Sequence, residues 1–130
     1  MVRQNEVLCP CESGEIYDKC CGPLLAGTSA AKSALALMRS RYTAYTEGNS
    51  DYLVCTWHPN HRPLSLEAIK DRKWVGLQIK RVEYRLSDDT CIVEFVARFK
   101  IGGKGHRLHE ISHFVCEAGY WYYTTGEVVR

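Results

Sequence analysis

From Ala31 onward apolar side chains recur at three- and four-residue steps, through Ala34, Leu35, Met38, Tyr42 and Tyr45. That period predicts a long helix burying one face. Ser29 is placed to cap its start and Gly48-Asn49 to stop it, with Arg39 and Arg41 flanking the stripe. A second helix is predicted over 51–57, ended at His58-Pro59 because proline disfavours helical geometry in the residue before it. A third is predicted over 65–71, with Ser65 as cap and Glu67 behind it. Further on the period drops to two. Trp74, Leu77 and Ile79 lead into Val82 and Tyr84, and Ser87-Asp88-Asp89 supplies a turn. Cys91, Val93, Phe95, Ala97 and Phe99 then alternate with Ile92, Glu94, Val96 and Arg98. Gly102-Gly103-Lys104-Gly105 reads as a hairpin loop, 107–116 as a strand, Ala118-Gly119 as a turn and 120–124 as the last strand. Helices first and an antiparallel meander afterwards predict an α+β domain with its helices packed on one face of the sheet.

The segment ahead of these elements follows neither period. It carries Cys9-Pro10-Cys11 and Cys20-Cys21-Gly22, two tight cysteine pairs separated by eight residues. Four thiolates brought together form the tetrahedral sulfur cage that Zn²⁺ prefers, with Zn–S bonds of about 2.3 Å. Pro10 stiffens the first pair, Ser13-Gly14 supplies a turn, and Gly22-Pro23 is expected to end the unit. Residues 1–23 are too poor in apolar side chains to bury a core, so metal binding must supply most of their folding free energy, on the order of 10 kcal/mol. The unit then serves either as a clip tethering the N-terminus or as a docking knuckle for a protein partner.

Composition narrows the classes. At 130 residues and 45% hydrophobic, the chain suffices for one domain with a proper core plus this appendage, giving boundaries of 1–23 and 24–130. Seventeen basic against fifteen acidic residues leave a net charge of +2, too balanced for the basic stripe of a nucleic-acid binder. No apolar run is long enough to span a bilayer, since Gly27, Lys32 and Ser33 interrupt 24–38. The first six residues lack the apolar core of a secretion signal, so a cytoplasmic location is expected. There, seven cysteines favour metal ligation over disulfides, with Cys55, Cys91 and Cys116 left as buried thiols.

The wording Cys-Pro-Cys-x-Ser-Gly-x-x-Tyr-x-x-Cys-Cys-Gly over residues 9–22 resembles the SEC-C motif, the zinc-binding tail of the translocase motor SecA and of many smaller proteins. Glu12 stands where that motif commonly has glycine, and Glu15 where it commonly has lysine. With Asp18 and Glu6 they make this knuckle acidic, unlike a basic docking surface. Met38-Arg39-Ser40-Arg41-Tyr42-Thr43-Ala44-Tyr45, Asp51-Tyr52-Leu53, Thr56-Trp57-His58-Pro59, Val93-Glu94-Phe95, Glu110-Ile111-Ser112-His113-Phe114 and Trp121-Tyr122-Tyr123 resemble the YchJ family over nearly the whole chain. These are small bacterial proteins of unassigned function that carry an SEC-C motif. The resemblance implies a nuclear transport factor 2-like (NTF2-like, cystatin-like) cone, in which a curved sheet wraps the long helix and leaves a pocket.

Within such a cone the candidate residues are Arg41, Tyr45, Trp57, His58, Glu94, Glu110 and Ser112. Glu94 shares its strand face with Ile92, Val96 and Arg98, so it either lines the pocket or sits on a solvated face. Glu110, Ser112 and Phe114 share one face of the next strand; Arg41, Tyr42 and Tyr45 approach from the helix, and Trp57-His58 can roof the opening. A buried glutamate with a raised pKa can act as a general base. The same glutamates can instead form structural ion pairs with Arg39, Arg41 or Arg98. His109 and His113 share a strand face about 13 Å apart, beyond joint ligation of one ion, and His106 points the other way. Cys55 near His58 offers a nucleophile pair only if a helical turn joins them. Two functions therefore stay open: a zinc-binding adaptor or interaction module, and a small-molecule enzyme of isomerase, dehydratase or hydrolase type. A homo-oligomer using the open sheet face is a third.

Overall fold

The computed structural model describes residues 7–63 and 72–130, and the helix expected over 65–71 lies outside them. The elements run α1 (Cys21–Leu25), α2 (Ala34–Glu47), α3 (Ser50–Cys55), β1 (Arg72–Arg85), β2 (Thr90–Ile101), β3 (Lys104–Glu117) and β4 (Tyr120–Val128). One 3₁₀ turn, Tyr17–Lys19, precedes α1. The four strands form a single antiparallel sheet in the order β1-β2-β3-β4.

The long helix begins later than its periodicity implies. Ser33, not Ser29, is the cap; its side chain accepts from the Ala36 N–H at 3.0 Å and satisfies a first-turn donor. Ala31 therefore lies ahead of the helix. Gly48 ends it at a φ of 68°, as Gly48-Asn49 foretold. Asn49 caps α3 by accepting from the Tyr52 N–H. That helix stops at Cys55 because the following backbone turns to β4: Tyr123 N–H donates to Thr56, and His58 N–H donates to Tyr123.

Strand β1 is one continuous element whose two irregularities are written in the sequence. The concave-facing residues Trp74, Leu77, Ile79, Val82 and Tyr84 pair with Phe99, Ala97, Phe95, Val93 and Cys91. The steps from Trp74 to Leu77 and from Ile79 to Val82 are three residues instead of two, and the register shifts fall there. Such bulges bend and twist a strand, which curves the sheet around α2. The β2–β3 turn is tighter than the four-glycine-rich residues suggest. Only Gly102-Gly103 turns, with φ of 56° and 80°, while Lys104 and Gly105 already pair with Ile101 and Lys100. Ala118-Gly119 makes the last turn as expected. β4 continues past Thr124 to Val128, its register shifting between Ser112 and Phe114.

Helix α2 lies against β1, β2 and β4, and its Ala34, Leu37, Met38 and Tyr42 meet Leu77, Val93, Phe95, Ala97 and Phe114 in one core. Cys9, Cys11 and Cys21 belong to that same cluster.

Candidate functional site

Cys9, Cys11, Cys20 and Cys21 bring their four Sγ atoms within 4.8 Å of one another. Cys11 Sγ lies 3.5 Å from Cys20 Sγ, and Cys20 Sγ 3.9 Å from Cys21 Sγ. Disulfides need about 2.05 Å, so these are thiols. Separations near 3.7 Å are what four sulfurs about 2.3 Å from a common centre adopt, so the donor set fits one tetrahedral thiophilic ion. Hydrogen bonding from Cys21 holds the Cys11 thiol down at about 4, and the same contact together with burial pushes Cys21 far up. Burial raises Cys20 as well. A divalent cation favours thiolate at each of its ligands.

A row on α2 seats this loop. Arg39, Thr43 and Glu47 follow each other at four-residue steps and share a helix face. Arg39 Nη1 donates to the Cys11 carbonyl at 2.6 Å, Thr43 Oγ1 lies 3.8 Å from Cys9 Sγ, and the Tyr17 hydroxyl donates to Glu47 at 2.8 Å. On the other side Glu12 reaches β1, its carboxylate accepting from the Leu77 N–H at the first bulge. Gly22 sits under Tyr17; a Cβ there would lie 2.8 Å from the Tyr17 carbonyl oxygen and 3.1 Å from its ring. Gly22-Pro23 does not end the unit but forms the first turn of α1, where the missing proline N–H costs nothing. Tyr17 is half-buried by these contacts.

Between α2 and the concave sheet face lies a pocket of about 170 Å³, and Arg41, Tyr45, Trp57, Glu110 and Ser112 all line it. Phe95 opposite Glu110 and Ala97 opposite Leu108 form its floor. Arg41 is 5% exposed. Its Nη1 donates to the Leu53 carbonyl and to Thr56 Oγ1, both at 2.7 Å, and its guanidinium lies 4.5 Å from the Tyr123 ring centre and 5.2 Å from that of Trp57. Burial lowers its pKa and raises those of Tyr45 and Tyr123. Ser112 donates to Glu110 at 2.6 Å, and Gly126 opposite leaves the room this carboxylate occupies, since a Cβ there would lie 2.5 Å from Glu110 Oε2. Gly126 is a site residue that the sequence reading missed, because its last strand stops at Thr124 whereas β4 runs on to Val128.

Two expected pocket residues lie elsewhere. Glu94 is on the convex face, held by His109 at 2.6 Å and Arg81 at 3.1 Å; hydrogen bonding from His109 keeps its pKa below the ordinary carboxylate value. His58 pairs with Glu117 at 2.6 Å and packs edge-on against Tyr122, outside the pocket lining. The strand histidines separate as their spacing requires: His113 pairs with Glu127, and His106 stacks on Phe99. Of the remaining thiols Cys91 is buried and Cys116 half-buried, but Cys55 is exposed on α3, contrary to the expected buried thiol. Trp121 and Tyr123 turn to the core while Tyr120 stays 54% exposed, the split that alternation gives. No helix among the described residues is long and apolar enough to cross a membrane.

Comparison with known proteins agrees with this architecture. Residues 33–126 match the family described as YchJ, middle NTF2-like domain. A UPF0225 protein of Chromobacterium violaceum is 49% identical over 97% of this chain and 96% of its own length. The solution structure of a SEC-C motif containing protein from Rhodopseudomonas palustris superimposes with a TM-score of 0.84 at 40% identity, covering 94% of this chain and 98% of that one. A crystal structure of a SEC-C motif containing protein from Psychrobacter arcticus gives 0.78 at 28% identity, over 94% and 82%. With its four-cysteine cluster seated on an NTF2-like α+β domain, the chain belongs to the YchJ (UPF0225) family.

Proposed function

We propose that this protein is a zinc-binding interaction module: one Zn²⁺ held by Cys9, Cys11, Cys20 and Cys21 fixes the N-terminal knuckle, and the knuckle's outer surface docks a protein partner. The observation that carries the reading is the convergence of four sulfurs within 4.8 Å in a segment that lacks an apolar core of its own. A closed set of four thiolates with no place for water is the pattern of a structural zinc site. Two features support docking. Val7 and Leu8 are 64% and 65% exposed beside the sulfur cluster, and apolar side chains left in water next to a rigid element favour a partner. The inner side of the knuckle is already taken by Arg39, Glu47 and Leu77, so only the outer side is free to bind. Replacing Val7 and Leu8 by glutamate tests this. Partner capture by the full chain is expected to fall at unchanged zinc content; capture equal to that of the unaltered protein contradicts the docking role.

A second reading, a small-molecule enzyme with Glu110 as general base, is supported by one feature. Among the described residues no lysine, arginine or histidine comes within salt-bridge distance of Glu110, which leaves the carboxylate available in the pocket. Turnover by the native protein that survives Glu110→Gln contradicts that role.

A further inference from the structure

The pocket between α2 and the sheet carries an electrostatic imbalance that neither reading uses. Arg41 is a cation more than nine-tenths buried, and among the described residues no carboxylate lies within 4 Å of it. Its Nη1 hydrogens are spent on Leu53 and Thr56, which leaves the rest of the fork, stacked over Tyr123 and Trp57, without a hydrogen-bond partner among the described residues. A buried charge ordinarily has a counter-ion, because desolvation without pairing is costly. Two more donors in the same lining, Trp74 Nε1 and Arg72 Nε, are buried without any hydrogen-bond partner. Buried polar atoms left unsatisfied are rare enough in folded proteins to call for an explanation. Here both such side-chain atoms among the described residues belong to residues that line one cavity, and each is a donor. Against them, among the described residues of the lining, stands a single acid, Glu110, already accepting from Ser112. Arg41 and Arg72 against Glu110 give the described residues of the lining a charge of +1.

The walls define the remainder of the ligand. Trp57, Trp74, Tyr42, Tyr45, Phe95 and Tyr123 surround the space with aromatic faces and edges. Trp74 lies 5.7 Å from Tyr45 and 5.0 Å from Phe99, centre to centre, so its ring is fixed from both sides. A volume of about 170 Å³ admits one six-membered ring with a small substituent; an apolar cavity of roughly 150 Å³ is known to take up benzene.

We infer that this pocket binds a small aromatic monocarboxylate, its ring among the tryptophan and tyrosine side chains and its carboxylate toward the unpartnered donors of Arg41 and Trp74. A carboxylate supplies both the missing negative charge and the missing acceptors, and charge-assisted bonds of this kind are the strong ones. The inference depends neither on the metal nor on any reaction, so it stands or falls apart from the knuckle's function.

Benzoate is the probe and benzyl alcohol its neutral counterpart, each titrated into the full-length, metal-loaded protein while the indole N–H resonances of Trp74 and of Trp57, which lines the same pocket and remains in every variant, are followed. Benzoate is expected to saturate with a Kd below about 10 mM, a modest demand for a ligand of this size. Benzyl alcohol is expected to bind about tenfold more weakly or worse, the loss of one charge-assisted contact. Arg41→Met should abolish benzoate binding. Because Arg41 also ties α2 to α3, Trp74→Phe is the companion variant: it keeps an aromatic ring, removes only the donor, and should weaken benzoate about fivefold to tenfold. Absence of saturable shifts, equal affinity for benzyl alcohol, or a Trp74→Phe protein that binds benzoate as tightly as the original would overturn the assignment.

Discussion

Glu12 holds its backbone at a φ of 61°, where a side chain costs about 1–2 kcal/mol and glycine almost nothing. Its carboxylate offsets that cost by accepting from the Leu77 N–H, so the residue that departs from the usual glycine of the motif works as a strap between knuckle and sheet. The two effects separate by mutation. Glu12→Ala keeps the strain and loses the strap, and should lower unfolding stability by about 1–2 kcal/mol in urea, the scale of a charge-assisted bond at an exposed site. Glu12→Gly loses the strap but relieves the strain, and should lie closer to the native protein; equal losses in both variants would remove the strap. At Gly22 the argument is steric. A methyl group would meet the Tyr17 carbonyl at 2.8 Å, so Gly22→Ala should cost about 1–3 kcal/mol and weaken metal retention.

Among the elements, the strands were the more legible. The concave face of β2 can be read off as Cys91, Val93, Phe95, Ala97 and Phe99, because a face buried against a core enforces strict alternation. Even the bulges of β1 are visible as its two three-residue steps. The long helix was legible in type but not in its burial. Ser40, Arg41 and Thr43 are buried along with Leu37, since α2 is covered by the sheet on one side, by α3 over Ser40 and Arg41, and by the knuckle over Thr43. A periodicity count looks for one apolar stripe and cannot see a second, polar face buried under backbone and sulfur. The same alternation sorts Glu94 from Glu110 once that face is taken as concave: Glu94 lies between Val93 and Phe95 and points away, whereas Glu110 stands across from Phe95. On the proposed reading the knuckle depends on the sulfur centre while the sheet has its own core. Chelation should therefore erase hydrogen-exchange protection at the Cys9 and Tyr17 amides and leave β2 and β3 protected; protection that persists in both regions would contradict that division.

The whole molecule combines a domain that folds on hydrophobic packing with a loop whose four clustered cysteines suit a metal ion, and the two are expected to respond to different conditions. On the alkaline side burial holds Tyr42 up at about 12 against an ordinary value of 10, so the folded protein keeps a proton that the unfolded chain releases. The stability this contributes is complete below pH 10 and is lost as pH rises from 10 to 12, a decline to be followed by urea unfolding across that window. The metal centre answers to chelators instead. The most direct test of the account is elemental analysis of protein purified without chelator, with thiols counted on the same sample. One equivalent of zinc per chain is predicted, falling to none when Cys11 and Cys20 are both replaced by serine. Metal-free protein with bridged or freely reactive cysteines at residues 9, 11, 20 and 21 would contradict it.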